Sequence, residues 1–434
     1  WPSAYSKHFE KATTLAGQSA EAAVRIAQQG LSGVERLSRF CRHREMLSVT
    51  SADELCAKYG GLELFDKEVG GHGDLDMTTE VSYRGQVHRG DSLEQLLQSF
   101  AARGVIEADC VPAVLQASGV DLSDHQVIVL GAASDVRPTE ALLRHGATVV
   151  GIDERERKDL WTPLCAVALK SKGRLRVPIT PSAVGALASA GFSQGRIPEN
   201  LGTDVLKELA ELIPYFSEVV DLSKPLTIVV TSCGVGEEML QKAVAYDAIV
   251  QTFVAQCAAK GLRLPQVAYF APPTAVWSSP NPAAAPANCL LTAQGPEFAL
   301  STQIMQWRAV DLLSRGGCVS FYCSPIARGP HFVQRMQALE HFATGLRYFQ
   351  PAEVFTRQTA SEVMSAMLVA DIHKYIKSTS AEENGEQPLH SSPLQHLSQK
   401  AFHGGIWRLS YKLQSVFGPA RVMGALKQFG LVPF

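Results

Sequence analysis

Residues 125–153, HQVIVLGAASDVRPTEALLRHGATVVGID, constrain the fold more than any other stretch of the chain. The β-branched run 127–130 predicts a buried strand that stops at Gly131. Small and polar residues follow, then a helical segment carrying Leu142 and Leu143, which Gly146 breaks. Residues 147–152 predict a second buried strand, ending on Asp153. Two short apolar strands joined by a helix demand a parallel pair with a right-handed crossover. Such a unit must be covered on both faces, so the rest of the chain has to supply further strands and helices.

This β-turn-α-β unit also suggests a ligand. The N–H groups of a turn such as Gly131-Ala132-Ala133-Ser134 can hold a pyrophosphate, and Arg137 can add a direct contact. Asp153, at the tip of the second strand, can accept both hydroxyls of an adenosine ribose. Only Gly131 remains of the three glycines that a full dinucleotide fingerprint carries, and Asp135 and Arg137 stand about where the later ones belong. Pro138 suits a first helical turn. The expected cofactor is NAD or NADP: the Asp153 carboxylate repels a 2′-phosphate, while Arg155 and Arg157 close behind can reverse that preference. An ordinary βαβ unit without nucleotide, with Asp153 as a structural cap, is the competing reading.

The chain has 434 residues, 46% of them hydrophobic, enough for one large or two ordinary domains. A formal net charge of −2, with no basic stripe or finger spacing, excludes nucleic acid as an expected partner. No apolar run reaches the length of a membrane span. Nine cysteines are scattered singly without a CxxC pair, which suits a reducing compartment: cytoplasm, mitochondrial matrix or plastid stroma. The sequence begins at Trp1, so an organelle-targeting peptide can be missing from it. No metal site is expected, since the histidines lack helical pairing and Cys318 and Cys323 have no matching pair. There is also no G-x-S-x-G elbow, Walker loop or H-E-x-x-H.

Along the chain, residues 1–120 read as a mostly helical extension. Residues 5–29 predict a helix poor in large apolar residues, which is expected to lie on a partner. Residues 60–90 read as glycine-rich surface, including the tract His72-Gly73-Asp74. Residues 121–330 alternate strands and helices, with further strands at 174–179, 226–230, 266–270 and 318–322. That alternation predicts an α/β fold with a doubly wound, mostly parallel sheet. Residues 331–434 turn helical again, interrupted by a polar linker at 378–393. The tail, residues 402–434, carries Trp407, Leu409, Tyr411, Leu413, Phe417, Met423, Leu426, Phe429 and Phe434. So much apolar surface has to dock on the core, on partner proteins in a complex, or on a membrane surface.

Between residues 124 and 322 the chain resembles the short-chain dehydrogenase/reductase superfamily. The resemblance rests on the first βαβ unit and on Thr231-Ser232-Cys233-Gly234 closing a strand. It rests further on Ala245-Tyr246 opening a helix and on a strand running into Pro272-Pro273-Thr274. It implies a Rossmann-type NAD(P)-binding fold, with Thr231, Pro272 and Thr274 lining the cofactor cleft. It also implies Ser232 and Tyr246 around a reacting carbonyl or alcohol oxygen, Tyr246 exchanging a proton while hydride moves. Such enzymes place a lysine four residues beyond the tyrosine; here that position is Val250, and Lys242 lies four residues before it. Two functions therefore stand open: an NAD(P)-dependent oxidoreductase, or a catalytically inactive relative serving as a structural subunit of a larger complex.

Overall fold

The computed structural model describes residues 5–42, 45–48, 55–57, 63–134, 136–155, 157–181, 184, 201–231, 234, 236–271, 291–324, 337–349, 352–378 and 393–432. The chain is α/β, built on a seven-stranded, mostly parallel sheet. Two antiparallel pairs stand apart from it: β1 (Arg39–Arg42) with β2 (Glu45–Ser48), and β4 (Glu80–Tyr83) with β5 (Gln86–Arg89). The main sheet holds β3 (Phe65–Gly70), β6 (Gln126–Leu130), β7 (Thr148–Ile152), β8 (Arg174–Ile179), β9 (Leu226–Thr231), β10 (Gln266–Ala271) and β11 (Val319–Cys323). Their order is β11-β10-β9-β6-β7-β8-β3. The six strands from β6 onward are parallel, and β3 closes one edge antiparallel to β8. Counted from β6, the parallel strands run 6-5-4-1-2-3, an order compatible with a Rossmann-type class.

Strand pleating sends alternate side chains into two separate layers. Val127, Val129 and Val149 face one core with the helices Pro138–Arg144, Lys158–Lys170 and Arg357–Lys377. Ile128, Leu130 and Ile152 face the other with Val205–Val219, Glu237–Ala259 and Pro296–Ser314. A sheet buried on both faces is what continuous β-branched runs such as 127–130 require.

Both flanking segments belong to this core. The single helix expected over residues 5–29 is two, Tyr5–Ala16 and Ala20–Leu37, and the second buries Ala23, Ala27 and Leu31 within its own chain. Its approach to Pro296–Ser314 is so close that a Cβ on Gly30 would lie 2.6 Å from the Trp307 ring. Residues 60–90, expected as polar surface, contain β3 and the β4–β5 pair, although His72 and Asp74 are exposed as anticipated. At the other end, Val363, Met364 and Met367 of Arg357–Lys377 are fully buried against the sheet. The tail mostly docks on the body as well: Phe402 and Leu413 are inaccessible, and Glu107 accepts bonds from His403 Nε2 at 3.0 Å and Arg408 Nη2 at 2.8 Å. The polar tract expected as a linker lies almost wholly outside the described residues.

A polar ladder ties the N-terminal ends of four strands together. Thr227 Oγ1 donates to Gln266 Oε1 at 3.1 Å, so its contact with His125 Nε2 at 2.8 Å needs the proton on the histidine. Gln266 Nε2 donates to Ser320 Oγ at 3.4 Å, and Ser320 donates to Asp371 Oδ2 at 2.9 Å. Asp371 also accepts from Tyr322 and pairs with Lys400, ending the chain of donors on a neutralised carboxylate. The rungs at His125, Thr227, Gln266 and Ser320 lie at the strand ends opposite Gly131, so they fix the sheet without touching the candidate site.

Burial, with a smaller contribution from Arg263, pushes the His125 pKa down to about 4 from 6.5. The unfolded chain therefore binds a proton that the folded chain refuses between those two values. Stability is complete above about pH 6.5 and declines as pH falls toward 4. Urea unfolding at pH 7 and pH 5 should show lower stability at pH 5, with His125→Gln narrowing the gap. An unchanged gap in that variant would remove His125 as its source.

Candidate functional site

The rim formed by the C-terminal ends of β6, β7 and β9 carries most of the residues expected to bind a cofactor. Leu130 leads into Gly131 at φ +83°, a left-handed conformation suited to glycine. The N–H groups of Gly131 and Ala132 both donate to the Ile152 carbonyl, at 2.8 and 3.0 Å. Ala133 N–H donates to Asp153 Oδ2 at 2.8 Å, and Ser134 N–H returns to Gly131 O at 3.0 Å. All four donors of the expected phosphate cradle are engaged within the chain.

The helix that should follow the cradle is equally committed. Pro138–Arg144 spans only seven residues and begins with a proline, which has no N–H. Arg137 N–H donates to Ser361 Oγ at 2.9 Å, bringing the helix Arg357–Lys377 against this helix start. The Arg137 guanidinium pairs with Glu140 at 3.1 Å. It lines a cavity of about 120 Å³ with Thr79, Glu140, Arg144 and Ser365.

Asp153 is the residue whose placement decides the chemistry. Its side chain is 1% exposed, where a ribose-binding carboxylate has to face a ligand. Oδ1 accepts from Glu154 N–H at 2.9 Å. Oδ2 accepts from Ala133 N–H and from Arg157 Nη1, the latter at 3.3 Å. Arg157, expected to influence the choice between NAD and NADP, also donates to Ala133 O at 3.1 Å. The acid thus takes up a donor that a pyrophosphate would use, and the arginine locks the two strand ends together. A buried charge is tolerable only with such pairing.

Further chain closes over this end of β7. Thr203 N–H donates to Asp153 O at 2.8 Å, and Trp161 Nε1 donates to Glu154 O at 2.9 Å. Gly202 runs so close that a Cβ there would sit 2.4 Å from Asp153 O. On the β9 side, Thr231 Oγ1 lies 3.0 Å from the carbonyls of Leu130 and Gly131, pinning two strand ends rather than facing a cleft. As arranged, these residues do not fit a bound dinucleotide.

Only part of the set expected to be catalytic falls among the described residues. Ser232, Pro272 and Thr274 lie outside the described residues. Tyr246 is 2% exposed in the layer between Glu237–Ala259 and the sheet, with Val250 wholly buried one turn on. Lys242, also 2% exposed, pairs with both Glu154 and Glu238 at 2.5 Å. Its role is to hold the start of that helix to the end of β7. Among thiols, burial raises the pKa of Cys110 and Cys257 and pushes Cys165 up to about 12, so none of these three is a ready nucleophile. Among the described residues, no group of His, Cys, Asp or Glu is arranged to hold a metal ion.

No protein-family model matches the chain, and no curated protein matches its sequence. The site's own geometry therefore carries the functional argument.

The locking of Asp153 has a measurable consequence. Asp153→Ala leaves Arg157 buried without its carboxylate and should destabilise the protein by about 3–5 kcal/mol. Urea denaturation measures this directly. A loss within about 0.5 kcal/mol, as expected of a surface residue, would return Asp153 to the role of a ligand-facing acid.

Proposed function

We propose that this chain is a dehydrogenase-like α/β protein without hydride-transfer chemistry, serving as a structural subunit of a larger assembly. The observation that carries this reading is the Asp153 carboxylate seated on the Ala133 amide and clamped by Arg157. A pyrophosphate entering the turn would have to displace a buried, paired carboxylate or bring its own negative charge against it. The pairing of Lys242 with two glutamates and the burial of Tyr246 support the same conclusion. The Rossmann-type assignment is supported by the strand order, and kinship with short-chain dehydrogenases is an inference from the motifs around Gly131 and Tyr246. Buried thiols at Cys110 and Cys165 suit a reducing compartment.

The alternative is an NAD(P)-dependent reductase with Ser232 and Tyr246 at the reacting oxygen, and the sheet order is what favours it. It requires Asp153 to swing out of its pairing with Arg157 when the cofactor enters. Calorimetric titration of the full chain with NADH and NADPH separates the two. The scaffold reading expects no saturable binding up to millimolar cofactor. Micromolar binding, with reduction of a carbonyl panel that Tyr246→Phe abolishes, would replace it with the reductase.

A further inference from the structure

The C-terminal helix Phe417–Gln428 is apolar on two opposite sides, and only one of them is covered. Ala420 and Gly424, four residues apart, are buried against the helix Gln337–Leu346. The contact is backbone-close: a Cβ on Gly345 would fall 1.7 Å from Ala420 O, and one on Gly424 would fall 1.8 Å from His341 O. On the other side, Val422, Leu426 and Phe429 recur at the spacing of a single helix face, with Leu426 partly covered. Val422 is 59% exposed, Phe429 75%, and Leu431 just beyond is 69% exposed. These are three of the most exposed large apolar side chains among the described residues, gathered within ten positions.

The segment that carries this face has charged residues of one sign. Residues 393–434 contain Lys400, Arg408, Lys412, Arg421 and Lys427 and no Asp or Glu, although the whole chain is close to neutral. Lys400 and Arg408 are used inside the protein, on Asp371 and Glu107. Lys412 and Arg421 are exposed, and Arg421 lies over the Phe417 ring at 5.5 Å, on the flank of the apolar stripe. No described helix is long and apolar enough to cross a membrane. A short helix with a largely exposed apolar face, an exposed phenylalanine and basic residues on its flank has the makeup of an element that lies in a headgroup layer.

We infer that Phe417–Gln428 and the residues after it dock the protein peripherally on an anionic lipid surface. Val422, Phe429 and Leu431 enter the acyl boundary, while Lys412 and Arg421 meet lipid phosphates. This deepens the scaffold reading by naming the surface that would hold a non-catalytic body in place. It does not depend on nucleotide, so the two ideas can fail separately.

Flotation of the full chain on vesicles tests it. Vesicles of phosphatidylcholine with about one third phosphatidylserine should carry the protein, and phosphatidylcholine alone should not. Lys412→Gln and Arg421→Gln should each weaken binding about fivefold. Phe429→Ser should weaken it about tenfold or more, from the loss of a buried aromatic. These side chains are exposed, so an unchanged melting temperature confirms that each variant is folded. No flotation on the anionic vesicles, or equal flotation on neutral ones, would overturn the inference. So would a dimer in size-exclusion chromatography that Phe429→Ser dissolves, since the face would then serve a second copy of the chain.

Discussion

The bond between Asp153 Oδ2 and the Ala133 amide, with Arg157 completing the triangle, is the contact on which the molecule's character turns. It joins the ends of β6 and β7 at the point where an open α/β sheet ordinarily keeps a crevice for ligand. A carboxylate in that place satisfies the turn's donor internally, and the arginine satisfies the carboxylate. The result is a closed electrostatic unit. Closure continues outward through Thr203, Trp161 and Gly202, which pack over the same strand end.

The sheet and its helices were legible in the residues. Runs such as 127–130, 148–152 and 226–230 are too uniformly apolar to be anything but strands covered on both faces, and the structure places them at the centre. The edge strand β3 was not legible, because Phe65–Gly70 reads FDKEVG, with two acids and a lysine among its six residues. An edge strand faces solvent on one side, so its pattern gives way to charge. The packing of Ala20–Leu37 was not legible for a related reason. Ala23, Ala27 and Leu31 look too small to hold a helix in place, yet small residues are what allow its close approach to Trp307.

The candidate site was legible in position but not in use. The turn at Gly131, the acid at Asp153 and the basic pair behind it were all visible in sequence. Whether Asp153 faces outward to a ribose or inward to Ala133 depends on one side-chain rotation, and no spacing rule records that. Arg157 held the clue, since an arginine four residues after a strand-end acid can reach back to pair with it. The outermost helix shows the opposite case. Its apolar residues were visible as excess in the tail, and only the packing of Ala420 and Gly424 tells which face is spent and which remains.

Amide hydrogen exchange at Ala133, followed with and without millimolar NADH, tests the central claim most directly. An amide bonded to a buried carboxylate should exchange slowly, and the cofactor should leave its rate unchanged. Fast exchange in the free protein that becomes slow when NADH is added would mean that the turn is open and waiting for phosphate.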